Sequence, residues 1–167
     1  DWRLSPLVDS FGFASFPESV SMLDHAMAGD INRAAAQGKE FWMHELASGS
    51  YGIGLDVPEE DLLADRVAGW SLTTLSQGAK GLLMWQFRTE QFGAEYGFNL
   101  VNLDGTPNAR LKAVERVGRM VFENQALFDA LQPVPAEVAI GYSPMNPLML
   151  YVADGVVEPF DHSYLGS

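Results

Sequence analysis

The 167-residue sequence predicts an α/β fold of repeated strand–helix units. Three observations carry that prediction. Short apolar runs alternate with longer stretches of helical periodicity, glycine or proline punctuates the junctions, and the connections are too long for hairpins. Repeated βα units imply a parallel sheet with helices packed on it. A complete (β/α)8 barrel needs about 250 residues, so three units make less than half of one. The doubly wound alternative needs ligand-binding glycines after the first strand, and no G-x-G-x-x-G stands there. In either architecture, reactive groups belong at the carboxyl ends of the strands.

Residues 7–16, LVDSFGFASF, are apolar and aromatic and stop at Pro17, as a strand entering a loop does. Glu18 or Ser19 then begins a helix carrying Val20, Met22, Leu23, Ala26, Met27, Ile31 and Ala34. Gly29 and Asp30 weaken its middle, so the reading allows two shorter helices. Gly38 closes it in the position where a left-handed residue ends a helix.

Residues 40–44, EFWMH, form the second strand, followed by a long glycine-containing loop. Pro58 with Glu59, Glu60 and Asp61 is a helix start, because proline suits the first turn and acids suit the positive end of the dipole. Leu62, Leu63, Val67, Trp70, Leu72 and Leu75 give that helix its apolar stripe, and Gly78 stops it. Residues 81–87, GLLMWQF, are the third strand and the one expected to be most buried. After a loop over 88–106, Pro107 opens an amphipathic helix expected to run unbroken through Leu131, with Phe122 and Leu127 on its apolar face. Prolines in PVPAEVAIGYS (133–143) mark a boundary, and a strand at about 137–142 would open a second unit.

Composition narrows the function classes. The formal charge of −12 opposes nucleic acid and an anionic membrane surface. There is no cysteine, which excludes disulfides and thiolate metal sites and leaves the compartment open. His25, His44 and His162 lack ligand spacing, so neither a metal nor another cofactor is expected. No apolar run approaches the roughly 20 residues of a membrane-spanning helix. The first residues, DWRLSPLVDSFGF, show neither an initiator Met nor a signal peptide, and the expectation is an internal piece of a longer protein.

Three stretches carry chemistry. On a regular strand through 41–45, Phe41, Met43 and Glu45 share one face and Trp42 and His44 the other. With Glu45 facing the centre of a barrel, Phe41 and Met43 would fill the layers beneath it and Trp42 would pack under helices. The plainer alternative is a glutamate held by an arginine or capping the next turn. In WQFRTEQFGAEYGFNL (85–100), Trp85, Arg88, Glu90 and Glu95 combine an aromatic platform, a cation and carboxylates. That mixture suits a sugar, whose C–H face meets aromatic rings while carboxylates hold its hydroxyls. An Arg88 ion pair with Glu90 or Glu95 and a core Trp85 explain the same residues structurally. For NLDGTPNARL (102–111) a turn and a helix start suffice.

Together these stretches resemble the last part of the catalytic barrel of glycoside hydrolase family 42, the β-galactosidases. The family pattern runs from a strand ending in the nucleophilic glutamate, through an aromatic residue, an arginine and a G-A-E, to a D-G-x-P-x-x-R. Here it reads GKEFWMHE, WSLTTLSQGAKGLLMWQFRTEQFGAE and NLDGTPNARL, over roughly residues 8–132. The resemblance implies the last three βα units of a TIM barrel in residues 1–132. It implies that residues 133–167 begin a flavodoxin-like α/β domain associated with trimer formation.

By resemblance Glu45 is the catalytic nucleophile, Glu95 binds galactose hydroxyls, Trp85 lies beside the sugar and Arg88 is positional. The implied partner is a β-galactoside or related oligosaccharide, the implied assembly of the full-length protein a homotrimer. Phe16 replaces a tyrosine of the family pattern, Phe98 replaces a histidine, and LASGSYGIG shows no tryptophan beyond the nucleophile. These departures keep another β-glycosidase barrel, or a non-catalytic sugar-binding relative, as alternatives. A retaining glycosidase needs a second carboxyl group about 5–5.5 Å from the nucleophile. The family's Asn-Glu acid/base has no counterpart in this sequence, so the chain alone is expected to be inactive.

Overall fold

A computed structural model of the chain describes residues 3–17, 21–50, 60–88, 90, 95–143, 145, 149 and 152. The chain divides into two compact units, Asp1–Pro133 and Val134–Ser167. The first contains strands β1 (Ser10–Ser15), β2 (Glu40–Ala47) and β3 (Leu82–Trp85), in that spatial order and all parallel. Helix α1 (Met22–Ala36) connects β1 to β2 and α2 (Glu60–Ser76) connects β2 to β3, while α3 (Ala109–Glu123) and α4 (Gln125–Ala130) follow. This mixed α/β arrangement with a three-stranded parallel sheet matches part of a (β/α)8 barrel.

Local chemistry sets the helix limits. Ser21 caps α1 by accepting from the Asp24 amide, and the Asp24 carboxylate accepts from the Ser21 amide in return. The helix therefore starts after Ser21, and the predicted starts Glu18 and Ser19 lie outside the described residues. It also runs unbroken through Gly29 and Asp30. Gly29 is buried where a β-carbon would collide with the Gln77 side chain, so close approach to the end of α2 explains a glycine in mid-helix. Gln37 and Gly38 both take left-handed conformations at its end, as does Gly78 after α2. The predicted start of α2 at Pro58 and Glu59 also falls outside the described residues.

The expected single helix to Leu131 is two helices. Asn108, not Pro107, caps the first, its side-chain oxygen accepting from the Leu111 amide at 3.0 Å. At Asn124 the backbone amide reaches both Met120 and Val121 carbonyls and the side chain donates back to Met120, which closes α3 before α4 begins. Phe122, expected to be apolar core, is 79% exposed.

The sheet buries one face. Met43 and Leu46 from β2 pack with Leu63, Val67 and Trp70 of α2, and Phe41 packs with Ala36 and Ala79. Phe13 stacks on Phe41 with ring centroids 5.7 Å apart. Truncating Leu46 or Leu63 to alanine in such a core costs about 2–5 kcal/mol. β3, expected to be the most buried strand, is covered on one side only, and Leu83 is 53% exposed. Its continuous apolar run reads as burial on both faces, whereas only Leu82 and Met84 pack toward the helices. In the second unit, residues 137–142 form no strand, and Val138 and Ile140 are exposed. No described strand pairs with them, and without a ladder nothing holds their backbone extended.

Candidate active site

A bulge in β2 decides where Glu45 points. Phe13 pairs with Met43 and the next residue, Ala14, pairs with Glu45, so His44 is an extra residue on β2. The pairing with β3 shows the same insertion, from Met43 opposite Leu82 to Leu46 opposite Met84. Met43 and Leu46 both face the helices, which puts His44 and Glu45 together on the opposite side.

The face expected from strict alternation is therefore corrected. Phe41 and Met43 pack against the helices and do not lie beneath Glu45. Glu45 lies opposite exposed Ala14, on the side of the sheet that also carries Trp42. Trp42 does not pack under helices, since its ring lies against Gly81. The His44 ring lies over Gly12 on this same open side, instead of facing away from Glu45. Glu45 is half-buried, and neither an arginine nor a capping contact engages it among the described residues.

Trp85 ends β3 opposite Ala47, two residues beyond Glu45 on the neighbouring strand. That places the two residues about 8 Å apart along the sheet. The Trp85 indole N–H donates to Glu95 Oε2 at 3.1 Å, which brings Trp85 and Glu95 together. The Trp85–Gln86 peptide is cis, and the Gln86 side chain donates to the Glu95 carbonyl at 3.4 Å. Glu95 leads into the 3-10 helix Tyr96–Phe98. Arg88 is exposed and sits apart from this pair, its backbone bridging Val101, and no ion pair joins it to Glu95 among the described residues.

Two short-range features of the sequence hold these strand-end loops together. The small residues Ala47, Ser48 and Gly49 are all buried beneath the 3-10 helix. Ser48 donates its amide to the Trp85 carbonyl at 2.8 Å and its hydroxyl to the Phe98 carbonyl. A β-carbon on Gly49 would overlap the Gly97 carbonyl and the Arg110 guanidinium. Buried Arg110 donates to that same Gly97 carbonyl. Sequence reading passed over Ser48, Gly49 and Arg110. The signals were there, in the run of small residues after the strand and in the arginine that ends D-G-x-P-x-x-R.

Phe98 is fully buried and meets Phe16 edge to face. On the helical side of β1, the His25 Nδ1 lies 3.0 Å from the Ser15 hydroxyl, so α1 grips the strand end next to Phe16. The arrangement presents one carboxylate and a tryptophan–glutamate pair along the carboxyl edge of a parallel sheet. Such an edge can bind a polyhydroxylated ligand and offer it a nucleophile.

Comparison with known proteins bears on the family and the fold. The sequence model of glycoside hydrolase family 42, described as β-galactosidase, matches residues 2–123. A search of curated protein sequences gives no match. Among solved structures, a catalytic mutant of a GH42 β-galactosidase from G. stearothermophilus superposes with a TM-score of 0.66 at 17% identity, covering 96% of this chain and 24% of that one. The β-galactosidase of the psychrophilic Marinomonas ef1 gives 0.58 at 17% identity over 78% of this chain and 23% of that one. That of the Antarctic haloarchaeon Halorubrum lacusprofundi gives 0.57 at 18% identity over 83% and 22%. At these identities the structures establish a shared fold. The chain spans about a quarter of the length of the β-galactosidases it matches. The chain belongs to glycoside hydrolase family 42.

Proposed function

We propose that this family-42 chain is the part of a retaining β-galactosidase barrel that supplies the nucleophile, Glu45. The observation that carries the reading is the position of the Glu45 carboxylate. It is half-buried at the carboxyl end of a parallel strand, on the sheet edge where Trp85 and Glu95 are joined. In the mechanism Glu45 attacks the anomeric carbon as the glycosidic bond breaks, and the aglycone leaves as an alcohol protonated by the acid/base. Water, deprotonated by that same group, then displaces Glu45 from the glycosyl-enzyme ester, with inversion at each step. The attacking carboxylate must be ionised for this step. Glu95, oriented by the Trp85 N–H, accepts hydrogen bonds from sugar hydroxyls, while the Trp85 ring meets the C–H face. Arg88 acts by position. The acid/base belongs to a strand outside these 167 residues, so the chain alone does not turn over substrate. A flavodoxin-like domain beginning near residue 133 and a homotrimer complete the proposed parent protein.

The test is covalent trapping. The full-length protein, incubated with an activated 2-deoxy-2-fluoro-β-galactoside, should carry the sugar on Glu45, read by mass spectrometry of the proteolytic peptide. A label on another residue overturns the assignment of the nucleophile. One observation favours a second reading, a different β-glycosidase or a sugar-binding relative without turnover. The apolar Phe16–Phe98 pair stands where the family pattern has a tyrosine and a histidine. Turnover of aryl β-glucosides or β-mannosides in preference to galactosides would support the first form of that alternative.

A further inference from the structure

A cleft outside the Glu45 edge has a composition that points to a second ligand site. It is wide open and lined by Tyr96, Asn99, Asn102, Leu103 and Asp104, with a volume of about 560 Å³. That lies inside the roughly 300–1,000 Å³ range of small-ligand sites. It opens between the 3-10 helix that follows Glu95 and the turn at 102–106.

The hydrogen bonds around it fix the asparagine amides. Asn99 commits one side-chain N–H to the Val101 carbonyl, and Asn102 commits one to the Thr106 hydroxyl at 3.0 Å. Asp104 Oδ1 accepts from both the amide and the hydroxyl of Thr106, at 2.9 and 2.6 Å, which holds its carboxyl below the usual carboxylate range. The side-chain oxygens of Asn99 and Asn102, the second N–H of each amide and Asp104 Oδ2 make no further bond among the described residues, so the lining offers both acceptors and donors. The backbone of the turn is closed independently, by Asn102 N–H to Thr106 O and Gly105 N–H to Asn102 O, both 2.8 Å. Tyr96, 47% exposed, adds an aromatic face to one wall.

A ligand complementary to this cleft must exchange hydrogen bonds with the asparagine amides and Asp104, present an apolar face to Tyr96 and carry no negative charge beside Asp104. A neutral saccharide meets all three demands, with its hydroxyls as both donors and acceptors and its C–H face against the ring. We propose that this cleft is a saccharide-binding subsite, distinct from the edge that carries Glu45. The inference rests on the carbohydrate reading of the family only for the choice of probe.

The experiment is a titration of the isotopically labelled full-length protein, carrying Glu45→Gln to prevent turnover, with lactose, following the side-chain amide signals of Asn99 and Asn102. The expected result is a saturable shift of both signals that Tyr96→Ala weakens by roughly tenfold. Tyr96 is partly exposed, so its truncation does not open the core, and Asn102→Ala serves as the second variant. Absence of any shift overturns the proposal, as does a shift confined to the Trp85 indole signal. A shift with calcium chloride but not with lactose also overturns it, and makes the three oxygens a cation site. Trapping of the fluoro sugar on Glu45 reads the catalytic proposal separately, so either can fail without the other.

Discussion

Phe16 and Phe98 meet edge to face, with ring centroids 5.2 Å apart and planes at 75°. They come from loops more than eighty residues apart in sequence, one following β1 and the other following Glu95. Both stand at positions where the resembled family pattern has a polar side chain, so the two departures form a single contact. A hydroxyl placed at one without a partner at the other would face an apolar ring. Phe98→Ala should destabilise the chain by about 3–5 kcal/mol, as expected for a fully buried aromatic. A double-mutant cycle with Phe16→Ala should return a coupling of about 0.5–1.5 kcal/mol beyond the lost burial. Urea denaturation of the four chains measures both, and additive effects would remove the pair as a unit.

Gly49 makes the sharpest steric prediction. Its missing β-carbon is what lets the loop after β2 lie against the Gly97 carbonyl, a backbone atom that cannot rotate away. Gly49→Ala should therefore cost about 1–3 kcal/mol and push the 3-10 helix off Ser48. Because Glu95 leads into that helix, the displacement should also show as an altered Trp85 emission spectrum. An unchanged spectrum and a stability loss near zero would mean that the loops do not pack as described.

How much of this was legible in the sequence varies with the range of the interactions. The order of strands and helices could be read because hydrophobic periodicity is local. The position of Glu45 near a strand end could be read as well, and so could the grouping of Trp85 and Glu95 in one stretch, though not the hydrogen bond that joins them. Its face could not be read, because alternation assumes an unbroken ladder and the extra residue His44 is defined only by what β1 and β3 pair with. The break at Asn124 was hidden for a related reason: apolar residues recur on both sides of it, while the hydrogen bonds that close α3 are set by one side chain. The buried run Ala47–Gly49 looked like an ordinary loop because its partner, Phe98, lies fifty residues away.

The Trp85–Glu95 hydrogen bond predicts a separable effect on sugar binding. Trp85→Phe keeps an aromatic face but removes the N–H that fixes the Glu95 carboxylate. A hydrogen bond to a charged group contributes about 1.5–3 kcal/mol. Galactoside kcat/KM in the full-length enzyme should accordingly fall by roughly 10–100-fold, most of it in KM, since the bond acts on ground state and transition state alike. A loss confined to kcat would move Glu95 from holding the sugar to assisting the chemistry.

His25 predicts a pH dependence of stability that is independent of catalysis. Its ring is 1% exposed and contacts the Ser15 hydroxyl through Nδ1 and, through Nε2, the Trp70 carbonyl at 3.2 Å and the Thr74 hydroxyl at 3.0 Å. A carbonyl only accepts, so Nε2 carries the proton and Nδ1 accepts from Ser15, which satisfies the neutral ring. Burial lowers the imidazole pKa below its ordinary 6.5, and the hydrogen bond to Trp70 offsets this only in part. Between the lowered folded value and 6.5, the unfolded chain binds more protons than the folded one. The contribution is thus fully present above pH 6.5 and is lost as pH falls through the folded value. Each proton in that window changes stability by about 1.4 kcal/mol per pH unit. Urea midpoints measured from pH 7.5 to 5.5 should fall for the native sequence, while His25→Gln, less stable throughout, should show a flatter profile. Equal slopes would assign the pH dependence to other groups and leave His25 a purely structural bridge between β1, α1 and α2.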